Sequence, residues 1–212
     1  MKKPEKYPLA HLSLAQLPLA HLSRTATWDE QLAGRVRQAA VMVLISEAEA
    51  EPSILFTQRA RGISQGWQVS FPGGGREGAE NPEQTALRET YEEIGLDASE
   101  IQIWGRLAAP TASRLRVDPV AVVGCWSGAS ELLRPNAAEV ERILNVPVRE
   151  LVDPAHRVTW EIEHDHTGPG FLVDNVVIWG MTAGITDAVL EIFGWNQRWD
   201  RERMMRVPSE FR

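Results

Sequence analysis

Only one of the 212 residues is a cysteine, Cys125, which excludes an internal disulfide and a Cys-x-x-Cys zinc ribbon and suits a reducing compartment. Its neighbours Val122, Val123 and Trp126 predict a buried strand. Basic residues are in deficit, 22 against 29 acidic, for a net charge of −7. The positive footprint that duplex nucleic acid requires is missing, so a phosphate ligand must be met locally. No apolar run approaches the ~20 residues of a membrane span, and Met1-Lys2-Lys3-Pro4 leads into no signal core. The expectation is a cytoplasmic protein without a membrane partner. Gly 16 and Pro 13 are too few for a low-complexity chain, and 43% hydrophobic with 24% charged residues is a globular composition.

At about 150 residues per domain, the length predicts one domain with extensions. The segment Pro8-Leu-Ala-His-Leu-Ser13 recurs as Pro18-Leu-Ala-His-Leu-Ser23, too short and too few for a solenoid. Residues 1–26 are read as an N-terminal arm, 27–195 as the domain and 196–212 as a tail. Thr27-Trp-Asp-Glu30 has capping-box spacing, which predicts a helix from Trp28 toward Gln38. Strands are expected at Ala40–Ile45, Ile54–Thr57, Gln68–Phe71, Ile101–Leu107 and Val117–Trp126, with a glycine turn at Gly73–Gly75. Asn81-Pro82 supplies a cap and a first-turn proline and Gly95 a stop, bounding a helix over Pro82–Ile94. Asn136 is expected to cap a helix through Leu144. Val158–Ile162 and Phe171–Trp179 read as a hairpin, and Met181–Phe193 as a closing helix. The interleaving predicts an α/β sandwich with a mixed sheet.

The chemistry concentrates after the glycine turn. Six glutamates and two arginines lie between Gly74 and Leu96, a local charge of −4. At about 100° per residue, Glu89, Glu92 and Glu93 share one helical face, with Leu87, Tyr91 and Ile94 expected to pack on the other. Like charges at these spacings repel, and no basic residue is expected to relieve them on that face. Hard oxygen ligands from one helical turn suit Mg²⁺ or Mn²⁺, which share their remaining positions with waters and substrate phosphates.

Gly74, Glu80, Arg88-Glu89, Glu92-Glu93 and Gly95-Leu96 stand at the spacing G-x5-E-x7-R-E-U-x-E-E-x-G-U, which resembles the Nudix box at every charged and glycine position. Thr90 departs from the usual aliphatic residue, on a flank expected to be half-buried. The resemblance implies a Nudix-type α/β/α sandwich. It implies metal ligation by Glu89, Glu92, Glu93 and the Gly73 carbonyl, an orienting pair of Arg88 and Glu80, and hydrolysis of a nucleoside diphosphate linked to another moiety. The proton acceptor is expected to be Glu89 or Glu139, the latter carried over the site from outside the box. A homodimer is among the expected assemblies.

Three other motifs compete. Gly62-Ile-Ser64-Gln-Gly66 fits G-x-S-x-G, but a strand rather than a helix is expected after it. Gly73-x-Gly75-x-x-Gly78 fits a dinucleotide fingerprint, but the helix opens too late. His164-Asp165-His166 has no third histidine nearby and reads as a solvated turn.

Upstream, Leu55-Phe-Thr57-Gln-Arg59-Ala60 and Gln68-Val-Ser-Phe71-Pro-Gly-Gly74 resemble the coenzyme A pyrophosphatase signature, roughly L-L-T-x-R-S/A-x3-R-x3-G-x3-F-P-G-G. Likeness continues at Pro110–Ser113, Val117–Val122, Asn136–Pro147 and Ile178–Ala183. The middle is broken: the second arginine falls at Ser64 and the spacer to Phe71 is one residue short. Arg59 and Arg61 are the expected phosphate partners, and Trp67 the expected stacking surface for a purine.

Overall fold

The structure is a computed structural model that describes residues 19–23, 26–28, 36–46, 51–62, 66–109, 117–128, 132–162 and 166–208. Strands β1 (Arg37–Ser46), β2 (Ser53–Arg59), β3 (Val69–Ser70), β4 (Gly73–Gly75), β5 (Gln102–Ala108), β6 (Val117–Trp126) and β7 (Val140–Pro147) form one seven-stranded mixed sheet. Its spine runs β3-β2-β1-β6-β5, with β4 paired to β1 and β7 to β2. β1 and β6 run parallel from Arg37 beside Val117 to Ser46 beside Trp126, and the other pairs are antiparallel. A parallel, doubly covered centre explains the near-continuous apolar run in β1.

Alternation along β1 divides the interior. Met42 and Leu44 face helix α1 (Pro82–Ile94), joined by Leu55, Ala86, Ile94 and Val122. Val43 and Ile45 face the other way, into a larger core with Ile54, Phe56, α2 (Val148–Val152) and α3 (Gly180–Ile192). A four-stranded sheet covers that side in the order β10-β9-β8-β11, from β8 (Arg157–Ile162), β9 (His166–Val173), β10 (Val176–Ile178) and β11 (Met204–Arg206).

Several expectations are corrected. The helix from Trp28 toward Gln38 lies largely outside the described residues, but Arg37 and Gln38 already belong to β1. The helix expected from Asn136 is a turn followed by β7, because the Asn136 side chain accepts from Ala138 N in an Asx turn and Val140 begins to pair with β2. The expected hairpin is three strands: β8 pairs β9, and β10 returns through Asp174 and Asn175, both at positive φ. Within the histidine motif His166 opens β9 rather than sitting in a turn, while His164, Asp165 and the competing Ser64 lie outside the described residues. Cys125 is half-buried, its thiol directed to Gln102 Oε1 at 3.6 Å.

The described parts of both flanking segments join the body. Leu22 is buried, Ser23 bridges Arg106 of β5, and Trp28 donates its indole N–H to Ala39 O at 2.7 Å. Past residue 195, β11 pairs with β8, and the buried Arg157 binds Asp187 and Asn196 and lies over the rings of Phe171 and Trp199. The segment after residue 195 is therefore an edge of the second sheet. No helix among the described residues is long and apolar enough to cross a membrane.

Candidate active site

The glycine segment expected as a turn is instead strand β4, paired antiparallel with β1 and set hard against it. Gly73 has φ +156°, and a Cβ there would lie 2.4 Å from Ala40 O and 2.6 Å from Val41 Cα, so only glycine allows this approach. Gly74 serves a side chain: a Cβ on it would meet Glu89 Oε1 at 2.4 Å. Arg76 leaves β4 by bonding Gln38 twice, N to O at 2.9 Å and Nη1 to Oε1 at 2.6 Å, with its guanidinium 4.9 Å from the Trp28 ring centre.

Helix α1 then starts and stops as its sequence dictates. Asn81 and Gln84 form a reciprocal capping box, Pro82 occupies the first turn, and Gly95 closes the end in a left-handed conformation. Leu87 and Ile94 pack against the sheet as expected, but Tyr91 does not. Ala86, Thr90, Glu93 and Ile94 are buried, whereas Tyr91 is 59% exposed. Thr90 fits inside because its hydroxyl donates to Ala86 O at 2.6 Å, so its small size is required by burial.

Arg88 is the hub of the carboxylates. Its Nε reaches Glu80 Oε1 at 2.8 Å, Nη1 reaches both Glu89 Oε1 and Glu92 Oε2 at 3.0 Å, and Nη2 reaches Gly75 O at 2.8 Å. The expectation that no cation relieves that face is thereby corrected, since Arg88 and Glu92 are an i,i+4 pair. Glu80 also accepts from Glu77 N and Thr85 Oγ1. The Arg88 hydrogen bond is the main cause holding the Glu80 carboxyl down to about 2, and Glu80 in turn raises the Arg88 guanidinium.

Glu93 is the opposite case. Burial, opposed by Arg59 and reinforced by Glu89 and Glu139, pushes its carboxyl up to about 8, although the Gly73 backbone bonds to it. Its Oε2 is buried without a hydrogen-bond partner, as is Arg59 Nε. Burial also raises the Glu89 carboxyl, against the pull of Arg88. Glu139 arrives by a backbone latch at the helix end: Asn136 N donates to Glu93 O at 2.8 Å, and Ala60 N to Glu139 O at 2.8 Å. Nothing in the sequence signalled that latch. Arg59, Glu89 and Glu139 thus act electrostatically on Glu93, and Glu139 on Glu89, but Arg61 does not join them, because its guanidinium stacks 3.8 Å from the Trp67 ring centre.

The donor set fits a divalent cation. Its members are hard carboxylate oxygens, and one of them is buried and unsatisfied beside other carboxylates whose charges work against its ionisation. Among the described residues no three acidic, histidine or cysteine side chains already converge on one point, as Glu89 and Glu92 are turned to Arg88.

A model of the NUDIX domain matches residues 36–165, more than half of the chain. The chain belongs to the Nudix family. Over 175 residues it is 34% identical to the human mitochondrial coenzyme A diphosphatase NUDT8, spanning 76% of this chain and 72% of that protein. The mouse protein of the same name is 33% identical over 180 residues, spanning 81% and 83%. A Nudix hydrolase from M. Smegmatis, RenU, superposes with a TM-score of 0.55 at 18% identity, covering 78% of this chain and 90% of that one, and so shares the fold. This Nudix protein is a pyrophosphohydrolase of nucleoside diphosphate derivatives, and the mixed sheet with helices is the expected α/β architecture.

Proposed function

We propose that this Nudix hydrolase splits the diphosphate of coenzyme A or a derivative, using Mg²⁺ or Mn²⁺ held by Glu89, Glu92 and Glu93. The observation that carries the metal reading is the buried, unpartnered Glu93 Oε2 amid acidic neighbours. What supports coenzyme A is the Leu55 to Gly74 signature together with the likeness to two coenzyme A diphosphatases.

A cation held there by Glu89, Glu92 and Glu93 would supply neutralisation of the diphosphate charge and acidification of a water. The chain's own groups do the rest. Arg88 holds Glu80, Glu89 and Glu92 in one array, so the carboxylates are positioned before substrate arrives. Glu89, its carboxyl raised by burial, or Glu139 takes the proton of the attacking water. Arg59, with its buried Nε unpaired, offers positive charge to substrate phosphate.

A second reading, ADP-ribose or a dinucleotide as substrate, is favoured by the broken signature: Ser64 stands where the second arginine belongs, and Arg61 is engaged on Trp67. A nucleotide sensor without turnover is disfavoured by the intact carboxylates. The test is a panel of coenzyme A, dephospho-coenzyme A, ADP-ribose, NADH and diadenosine polyphosphates, with products identified by mass. The proposal expects 3′,5′-ADP and 4′-phosphopantetheine from coenzyme A, faster than any product from the others. Faster cleavage of ADP-ribose or a dinucleotide would select the second reading.

A further inference from the structure

A cavity of about 280 Å³ lies at the end of β2, lined by Gln58, Trp67, Glu141, Arg142, Asn175 and Val176. It is on the other face of the large sheet from the carboxylates. Ile54 and Phe56 point to the side away from α1, and alternation puts Gln58 with them; the register then shifts at a bulge, and Arg59 beyond it acts on the Glu93 carboxylate of α1. Arg142 is the register partner of Gln58 and shares its face.

The wall formed by Trp67 is held at a conformational cost. Its φ is +69°, a region that bulky aromatic residues rarely adopt and that persists where the surroundings over-determine it, often at ligand clamps. Its N–H donates to Arg59 O at 3.0 Å, its carbonyl accepts from the buried Gln58 Nε2 at 3.2 Å, and Arg61 covers one ring face. The chain beside it is folded back so tightly that a Cβ on Gly66 would lie 2.7 Å from Arg61 O. The opposite wall is fixed as well. Arg142 ties Gln58 Oε1, at 2.8 Å, to Asp174 Oδ2, at 3.1 Å, and Asn175 stands in the left-handed turn that follows.

The volume falls just short of the roughly 300–1,000 Å³ that encloses a drug-sized ligand, so the cavity suits one planar moiety and not a whole dinucleotide. An indole wall beside guanidinium, amide and carboxylate groups is the chemistry that receives a heteroaromatic ring with donors and acceptors on its edge. Trp67 is bonded to the backbone of Arg59, whose side chain lies at the carboxylates, so one ligand rounding the end of β2 reaches both faces.

We propose that this cavity binds the nucleobase of the nucleoside diphosphate substrate, stacked on Trp67 with its polar edge met by Glu141, Arg142 and Asn175. The inference rests on the substrate class proposed above and extends it. The α1 face of the sheet acts on the diphosphate, and the opposite face reads the base.

The test uses the full chain with Mg²⁺. Trp67→Leu should raise the KM for coenzyme A about 5- to 150-fold, the range that loss of one base–aromatic stack gives. Trp67→Phe, which keeps a ring, should recover most of that loss, and Arg142→Leu should raise KM in the same direction. In saturation-transfer NMR with adenosine 5′-monophosphate, the adenine protons should receive saturation from the parent chain and lose it in Trp67→Leu. Ribose 5-phosphate should not compete. An unchanged KM in Trp67→Leu, or adenine transfer that persists in both variants, overturns the inference while leaving the hydrolase reading intact. If Trp67→Leu fails to fold, Arg142→Leu decides by the same two readouts. If the parent cleaves no nucleoside diphosphate, the functional reading fails, and adenine saturation still decides the cavity.

Discussion

A methyl group built on Gly74 would point into the Glu89 carboxylate, 2.4 Å from Oε1, 2.5 Å from Cδ and 2.7 Å from Oε2. Ordinary contact begins near 3.4 Å, so Gly74→Ala must drive that carboxylate back by about 1 Å. The backbone itself accepts alanine, since Gly74 is not among the glycines at positive φ. Alanine there gains about 0.4–1 kcal/mol by restricting the unfolded chain, against a comparable loss in the part-buried Arg88 to Glu89 bond. Net stability should change by less than about 1 kcal/mol, or roughly 2–4 °C in melting temperature for a chain of this size. Activity is another matter, because a 1 Å misplacement of a reacting group costs about 100-fold. Gly73→Ala is the contrast: its Cβ would strike backbone atoms of Ala40 and Val41 at positive φ, so it should lose about 2–4 kcal/mol of stability. Thermal melts and kcat of both variants make the check. Wild-type kcat in Gly74→Ala would refute the reasoning about Glu89, and a large loss of stability in the same variant would show the contact to be structural.

Glu93 keeps a proton in the folded chain up to about pH 8 that the unfolded chain releases near 4.5, so in chelator stability should fall as pH rises through that window. Glu93→Gln should abolish the slope and be the more stable form at pH 9 by about 2 kcal/mol or more, while losing turnover by orders of magnitude; equal urea midpoints at pH 9 would contradict this. Glu80 has the opposite sign, since its carboxyl lies at about 2 in the fold, and its contribution should be present above about pH 4.5 and lost as pH falls toward 2. Arg88→Lys, whose ammonium cannot span Glu80, Glu89, Glu92 and Gly75 O together, should cost about 1.5–3 kcal/mol and flatten that acid transition in denaturant titrations. The proton acceptor is found from pH–rate profiles of Glu89→Gln and Glu139→Gln: one of them should lose the acidic limb, and if neither does, neither of these two carboxylates is the base.

Much of the site was legible because its signals are local. Asn81-Pro82 and Gly95 bound α1 where the sequence predicts, and β6 spans Val117–Trp126 as expected, since caps and the apolar stretch Val120–Val123 act within a few residues. On the helix's buried face apolarity places Leu87 and Ile94 correctly and Tyr91 wrongly, whereas Thr90 and Glu93 go in on bonds to Ala86 O and Gly73 that no periodicity encodes. The segment Asn136–Leu144 misled for a related reason. Asn136 serves either a helix cap or an Asx turn, and only pairing with β2 selects the turn. The second sheet escaped reading as a unit because β11 pairs with β8 across more than 40 residues of sequence. Trp67 was identified as a stacking residue, but its cavity depends on Arg142 and Asn175, which only the fold brings to it.

The most direct test of the account is a Mn²⁺ titration of the chain, followed by calorimetry and by turnover of a nucleoside diphosphate in the same buffer. Binding and activity should rise together in the parent chain, with affinity falling about 10-fold or more in Glu89→Gln and in Glu93→Gln, and excess chelator should abolish turnover. Full turnover in chelator, or parental Mn²⁺ affinity in both variants, would contradict the claim that these carboxylates are the catalytic metal site.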